Sequence, residues 1–254
     1  MLSHPTCDRL EAIGLSGMAK ALHEQRRVGA TFESLSFEER LGLLVDREAA
    51  ERDAKKLATR LRFAALRHAA CVEDIDMRSP RGIDAAVMAH LIDGSWINRH
   101  ENLLITGPTG LGKSWIACAL GNKACRDDRR VVYHRVPRLF QMLAIAKGDG
   151  RHARVLKAIE RTELLILDDW GLSVLTATER RDLLEILDDR QGRGSTIVTS
   201  QLPVDQWFEV IGDPTLADAI LDRLVHNAHR LTLSGDSMRR KMSTMKSLDQ
   251  SLQP

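Results

Sequence analysis

The chain has 254 residues, 43% hydrophobic and 28% charged, with a formal net charge of +2. That is enough for one large domain, or a medium one with an appendage, and for a real core. Aromatics are only 4%, which argues against a nucleic-acid reader that stacks bases on rings, and so small a net charge leaves any nucleic-acid signal to local clusters.

To about Arg78 the pattern is helical, without strand signals. Leu10, Ile13, Met18, Ala21 and Leu22 form a first apolar stripe. A second helix begins near Ser36, three residues before Glu39 in the manner of a capping box. Its pattern runs through Leu41, Leu44, Val45 and Ala49 to Leu57, Leu61, Ala64, Ala65 and Leu66. Ser79-Pro80-Arg81-Gly82 reads as a linker, because Pro and Gly interrupt helices. The expected division is therefore a helical domain over 1–78 and a second domain over 79–254.

Through Arg78, thirteen Lys and Arg balance thirteen Asp and Glu, but unevenly. Arg52, Lys55, Lys56, Arg60, Arg62 and Arg67 crowd one expected helix against a single acid, Asp53. At about 100° per residue, Arg52, Lys56, Arg60 and Arg67 share roughly one face. Such a helix suits phosphate contact, so Arg52, Lys55, Lys56, Arg60 and Arg67 are the candidate DNA-binding residues, with an ordinary solvated face as the alternative.

Beyond the linker, short apolar runs alternate with helical stretches: Asn102 to Thr106, Val131 to Tyr133, Leu164 to Leu167, Ser195 to Thr199 and Arg230 to Leu233. Strands alternating with helices predict an α/β domain with a largely parallel sheet covered on both faces. After the first run comes Gly107-Pro108-Thr109-Gly110-Leu111-Gly112-Lys113-Ser114, a full match to the phosphate-binding pattern G-x-x-x-x-G-K-[ST], with a helix predicted from Ser114 to about Cys125. Glycines let the backbone N–H groups face a phosphate, the helix start adds positive potential, Lys113 neutralises the terminal phosphate oxygens of ATP, and Ser114 offers a hydroxyl to magnesium.

Leu164-Leu165-Ile166-Leu167-Asp168-Asp169 reads as a buried strand with acids at its carboxyl end, the edge where open α/β sheets gather ligands. Asp168 is placed to hold magnesium through its water shell and Asp169 to polarise the attacking water; the alternative is a strand cap turning towards Gly171. A second basic stretch, Lys147, Arg151, Arg154, Lys157 and Arg161, precedes this strand, and Arg239, Arg240, Lys241 and Lys246 cluster at the chain end. His226 and His229 lack a third metal ligand and read as surface residues. Cys7, Cys71, Cys118 and Cys125 have no metal-ligand spacing and are expected as buried or idle thiols. The start does not read as a leader, and no run of about 18 apolar residues occurs, the least a membrane helix needs. The expected home is the cytoplasm, with no membrane partner.

These motifs resemble the AAA+ branch of P-loop ATPases. The resemblance implies a five-stranded parallel sheet flanked by helices, preceded by a small all-helical domain. Too few residues follow the last strand for the C-terminal lid of many relatives. It also implies that Gln201, or failing it Ser200, at the tip of the run from Ser195 to Gln201 acts as the first sensor. Ala219-Ile220-Leu221-Asp222-Arg223-Leu224 is similar to the helix carrying the arginine finger, with Arg223 acting on a neighbouring subunit; the alternative is a surface charge cluster with Asp222. Family members usually carry Glu where Asp169 stands.

Within that branch the chain resembles the DnaC-like helicase loaders and the IstB-type ATPases of insertion sequences. Gly17-Met18-Ala19-Lys20-Ala21-Leu22, the stretch from Arg60 to Asp76, Trp96-Ile97, and Thr199-Ser200-Gln201-Leu202-Pro203 with Gln206-Trp207 look like IstB motifs. The resemblance implies a transposition helper that binds ATP and magnesium, forms oligomers on DNA and engages a DDE transposase. A replicative helicase loader is the rival reading. A small-molecule kinase, which needs a substrate pocket and usually a lid, is a more distant one.

Overall fold

The computed structural model describes residues 4–238; the basic cluster from Arg239 to Lys246 lies outside the described residues. Helices α1 (Pro5–Ala12), α2 (Ser16–Arg27), α3 (Gly29–Phe32) and α4 (Phe37–Ala64) come first. Then follow α5 (Ala85–Asp93), α6 (Ser95–Asn98), β1 (Asn102–Thr106), α7 (Lys113–Arg126), β2 (Val131–Arg135), α8 (Val136–Gly148) and α9 (His152–Glu160). The chain continues through β3 (Leu164–Trp170), α10 (Ala177–Arg190), β4 (Ser195–Ser200), α11 (Trp207–Ile211), α12 (Pro214–Val225) and β5 (Ala228–Thr232).

Two compact units divide between Thr59 and Arg60, inside α4 rather than at the turn from Ser79 to Gly82. The reason is visible after the helix. Ala64 and Ala70 are fully buried, and Leu66 packs within van der Waals reach of α7 at Gly121, so this stretch belongs to the second unit. Nor is the Ser79–Gly82 turn a loose tether. Arg81 is buried and donates to the carbonyls of Leu111 (3.0 Å) and Asp76 (2.5 Å).

In the first unit the expected stripe from Leu10 to Leu22 is two helices, because Gly14 at φ +82° separates them and Ile13 ends up 66% exposed. Ser36 and Glu39 form the reciprocal cap expected of them, at 2.7 and 3.2 Å. The motif at Gly17 has a physical basis. A Cβ there would meet the Glu48 Cα at 2.7 Å, and the buried Glu48 carboxylate accepts from the Gly17 and Met18 N–H groups at 2.8 and 3.2 Å. Glu48 thus caps the start of α2 from inside α4, and Arg52 balances it at 2.6 Å.

The second unit is built on five parallel strands in the order β2-β3-β4-β1-β5. Every residue of β1 and β4 is buried, as are the first five of β3, as near-continuous apolar runs in a covered parallel sheet require. All five strands lie where the sequence placed them: β1 has the expected bounds, and the other four are shifted or lengthened by one to three residues. Trp170 and Trp207 pack at 5.4 Å between ring centres in the core that Leu139, Leu165, Leu167, Leu183 and Ile220 fill. Cys118 and Cys125 face inward from α7, fully buried and free. Because β4 runs between β1 and β3, the carboxyl tips of these three strands stand side by side. Open α/β sheets bind their ligands at that edge.

Candidate nucleotide-binding and active site

The loop from Gly107 to Gly112 leaves β1 and ends at the start of α7, with Gly112 as its N-cap. Gly107, Gly110 and Gly112 take φ of +136°, +89° and +92°, values a side chain resists. Close approach adds a second demand: a Cβ on Gly107 would meet the Leu233 carbonyl oxygen at 2.2 Å. Leu111 anchors the loop in the core, while Pro108 and Thr109 form its exposed crest. The Lys113 ammonium lies back over the loop, donating to the carbonyls of Gly107 (2.6 Å) and Pro108 (2.8 Å). Backbone donors at a helix start, a mobile cation and an open crest are what a polyphosphate requires.

At the tip of β3, Asp168 is fully buried. Its Oδ1 accepts from Ser114 Oγ at 2.7 Å and from the Thr199 hydroxyl, and its Oδ2 accepts from the Tyr133 phenol at 2.5 Å. Burial is the strongest influence on this carboxyl and pushes its pKa up. The hydroxyls of Thr199, Tyr133 and Ser114, joined by the Arg67 charge, outweigh it and hold the group below the usual carboxylate range. Burial, then the adjoining carboxylate, drives the Tyr133 phenol far above its ordinary value, so it stays protonated and donates. Ser114 Oγ and Asp168 are adjacent hard oxygen donors, a set that fits magnesium beside phosphate.

Asp169 breaks the strand. The pairing of β3 with β4 shifts register between Leu167 and Trp170, and Asp169 adopts φ +62°, a conformation costing on the order of 1–3 kcal/mol outside glycine. Arg135 at the end of β2 holds its carboxylate at 2.6 Å, and its N–H donates to Thr199 Oγ1 at 3.3 Å.

The family model for IstB-like ATP-binding proteins matches residues 8–246. The chain belongs to that family. It is 62% identical over 240 residues to an insertion sequence ATP-binding protein of Sinorhizobium fredii, covering 94% of this chain and 98% of that one. Among solved structures, AMPPCP-bound DnaA from Aquifex aeolicus aligns with a TM-score of 0.58 at 17% identity, over 75% of this chain and 58% of that one. A DnaC helicase loader aligns with a TM-score of 0.53 at 16% identity, over 65% of this chain and 97% of that one. These two likenesses show a shared fold, the five-stranded parallel sheet flanked by helices, and no C-terminal lid follows β5 among the described residues.

Within this IstB-like chain the eight loop residues, Asp168 and Asp169 meet at one sheet edge. Gln201 is exposed just beyond β4, with no hydrogen bond to the acids among the described residues, and Ser200 turns to the Trp170 carbonyl at 3.0 Å. Thr199 is the β4 residue that touches the acid pair, two positions before Gln201 and one before Ser200. Arg223 lies at the opposite edge of the sheet, in a cleft of about 370 Å³ lined also by Arg99, Asn102, Thr196 and His226. Its partners are Asp188 and the Ala219 carbonyl (2.7 Å), not Asp222.

The basic stretch does not stay together. The helical face ends at Ala64, and Ala65 at φ +50° turns the chain, so Arg67 does not continue the face of Arg52 and Lys56. Its guanidinium lies 3.6 Å from Asp168 and 3.7 Å from Asp169. Arg60 binds Asp128 at 2.5 Å and is only 18% exposed. Arg52, Lys55 and Lys56 remain outward, 55–65% exposed. Of the second basic stretch, Lys147 is tied to Asp182 and Arg151 to Asp149, both at 2.5 Å, whereas Arg154, Lys157 and Arg161 are exposed. His229 does find company: its ligand atom and those of His90 and Glu101 lie within 4.8 Å of one another. A cation is already there, since Arg99 grips Glu101 at 2.8 and 3.0 Å and, with His229, lowers that carboxyl to about 2.

The sequence reading missed Thr199, Tyr133, Arg135 and Arg81. Tyr133 and Arg135 sit at alternate positions of β2 whose tip neighbours β3, a signal that needs the strand order to be read. No helix among the described residues is long and apolar enough to cross a membrane.

Proposed function

We propose that this chain is an ATP-hydrolysing helper of insertion-sequence transposition. It binds ATP with magnesium, assembles with copies of itself on DNA, and recruits or stimulates a DDE transposase. The observation that carries this reading is the junction of Ser114 and the buried Asp168 at 2.7 Å beneath a complete phosphate loop, in a chain matching the IstB-like family over most of its length.

Magnesium would be held by Ser114 and, through water, by Asp168; bound there it neutralises charge on the phosphates. Lys113 leaves the loop carbonyls for the terminal phosphates. Asp169 orients the attacking water, and Thr199, or Gln201 after local rearrangement, aligns it. Arg223 cannot reach its own loop from the opposite sheet edge, which supports a role against the nucleotide of a neighbouring subunit. The exposed cations Arg52, Lys55 and Lys56 suit phosphate contacts with little sequence preference, and a division of labour follows, with the helical unit before Arg60 for DNA or partner and the unit from Arg60 onward for ATP.

The test is magnesium-dependent ATP hydrolysis by the purified chain, with and without duplex DNA, and co-purification with the transposase encoded beside it. Hydrolysis stimulated by DNA together with transposase binding supports the reading. Capture of a hexameric helicase instead would favour a loader, and absence of ATP binding would overturn both.

A further inference from the structure

Arg67 stands where neither a helix face nor the phosphate loop accounts for it. Ala65 in the left-handed region turns the chain after α4. Leu66 then packs against α7 at Gly121, seating the segment beside the phosphate-loop helix. From there the side chain reaches both acids almost equally, at 3.6 Å from Asp168 Oδ2 and 3.7 Å from Asp169 Oδ2.

The charges around the acid pair explain why a cation is needed. Asp168 is wholly buried and Asp169 is 21% exposed. A buried carboxylate is costly unless a cation pairs with it. Arg135 answers Asp169 from one side. Among the described residues, only Arg67 pairs with both acids. It approaches Asp168 on Oδ2, the oxygen away from Ser114, which bonds Oδ1; the side facing the phosphate loop is left to the metal.

We propose that Arg67 is a positioning residue of the ATPase site: a cation that holds Asp168 and Asp169 in register through ion pairs at 3.6 and 3.7 Å, rather than a DNA contact. It acts through the acids and does not touch the nucleotide. One guanidinium nitrogen, Nη1, lies between the two carboxylates, so the contact is an ion pair shared by both acids. The inference rests on the ATPase reading above, and its test carries one readout that does not require hydrolysis.

Wild type, Arg67→Ala, Arg67→Lys and Tyr133→Phe are compared in three measurements. The first is kcat and KM for ATP with magnesium. We expect Arg67→Ala to lower kcat by about 10- to 100-fold, the usual cost of losing a group that orients a metal-site carboxylate, with KM within about threefold. Arg67→Lys should recover part of kcat, and Tyr133→Phe should fall between. The second is Mn²⁺ binding to the nucleotide-free protein, followed by the paramagnetic signal of the free ion. Removing a cation beside two carboxylates should tighten Mn²⁺ at least about threefold, an effect that loosened packing would not produce. The third is the salt dependence of DNA affinity, which should be unchanged in Arg67→Ala.

Wild-type kcat and wild-type Mn²⁺ affinity in Arg67→Ala would overturn the inference, all the more with a flattened salt dependence. If wild type fails to hydrolyse ATP, the ATPase reading falls, while the Mn²⁺ comparison still decides for or against Arg67 as the counter-charge. Should Arg67→Ala not fold, Arg67→Lys and Tyr133→Phe carry the same comparison.

Discussion

The phosphate loop and the basic stretch from Arg52 to Arg67 are both short, locally encoded and rich in functional residue types, yet they differ in how far sequence order survives folding. The loop works through its own backbone. Its glycines, its lysine and its serine are neighbours in sequence and remain neighbours in space, and the turn that joins them is dictated by φ values few other residues take. The basic stretch works only if a helix carries all its cations on one face, and that helix stops at Ala64. Past the stop, three residues suffice to send Arg67 to the acid pair, while Arg60 pairs with Asp128. A motif made of backbone conformation can be read residue by residue; a stripe made of helical phase is only as long as its helix.

The largest expected effect lies on the loop side of that comparison. Lys113→Ala should abolish tight ATP binding, because its ammonium is the loop's mobile cation for the terminal phosphates. A charge on phosphate is worth on the order of 1–3 kcal/mol, so a titration with ATP and magnesium giving affinity within about twofold of wild type would break the assignment. The acid pair should show a loss of a different kind. Asp169→Asn should leave ATP binding intact and stop turnover, trapping a DNA-competent state, whereas Asp168→Asn should weaken the magnesium-dependent part of binding. Normal hydrolysis by Asp169→Asn would remove it from the role of base, and would also remove the purpose of its strained φ.

Most of the fold was legible because it rests on patterns of the same local kind. Fully buried parallel strands read as apolar runs, and the acids at the end of Leu164 to Leu167 mark the ligand edge whichever strand lies beside them. What could not be read is what depends on strand order. Tyr133 and Arg135 become site residues only because β2 neighbours β3, and Thr199 replaces Gln201 beside the acids because the register of β4 against a bulged β3 brings it there. The turn at Ser79 to Gly82 illustrates a related point: Pro and Gly mark a turn there, Arg81 pins it to the Leu111 carbonyl, and compactness divides the chain earlier, between Thr59 and Arg60.

Arg223 offers a smaller, sharper test, since it lies at the sheet edge opposite its own loop. Arg223→Ala should bind ATP normally and fail to hydrolyse it. Mixing it with Lys113→Ala should restore partial activity, because some boundaries would then pair an intact loop with an intact Arg223. No recovery at any mixing ratio would leave Arg223 as the surface partner of Asp188 that it is in the isolated chain.

The smallest expected effect returns to the stripe and asks which part of it still meets DNA. Arg52 and Lys56 are one helical turn apart on α4, both more than half exposed. The Lys56–Asp53 pair is the exposed kind worth about 0–1 kcal/mol, so Lys56 turns to phosphate at little cost, whereas Arg52 must leave the buried Glu48 carboxylate to do so. Each phosphate they neutralise contributes about 0.9 to the slope of log affinity against log salt on duplex DNA. Alanine at both should flatten that slope by up to about two per subunit and leave ATP binding by the monomer unchanged. Arg60→Ala, whose guanidinium is committed to Asp128 and mostly buried, should leave the slope as it is. DNA affinities across a salt series for the double variant, Arg60→Ala and wild type decide it. If Arg60→Ala flattens the slope and the double variant does not, the helical phase has been read from the wrong end. If neither changes it, the contact belongs to the exposed cations Arg154, Lys157 and Arg161 around α9, which carry no ion pair among the described residues and face water as a group.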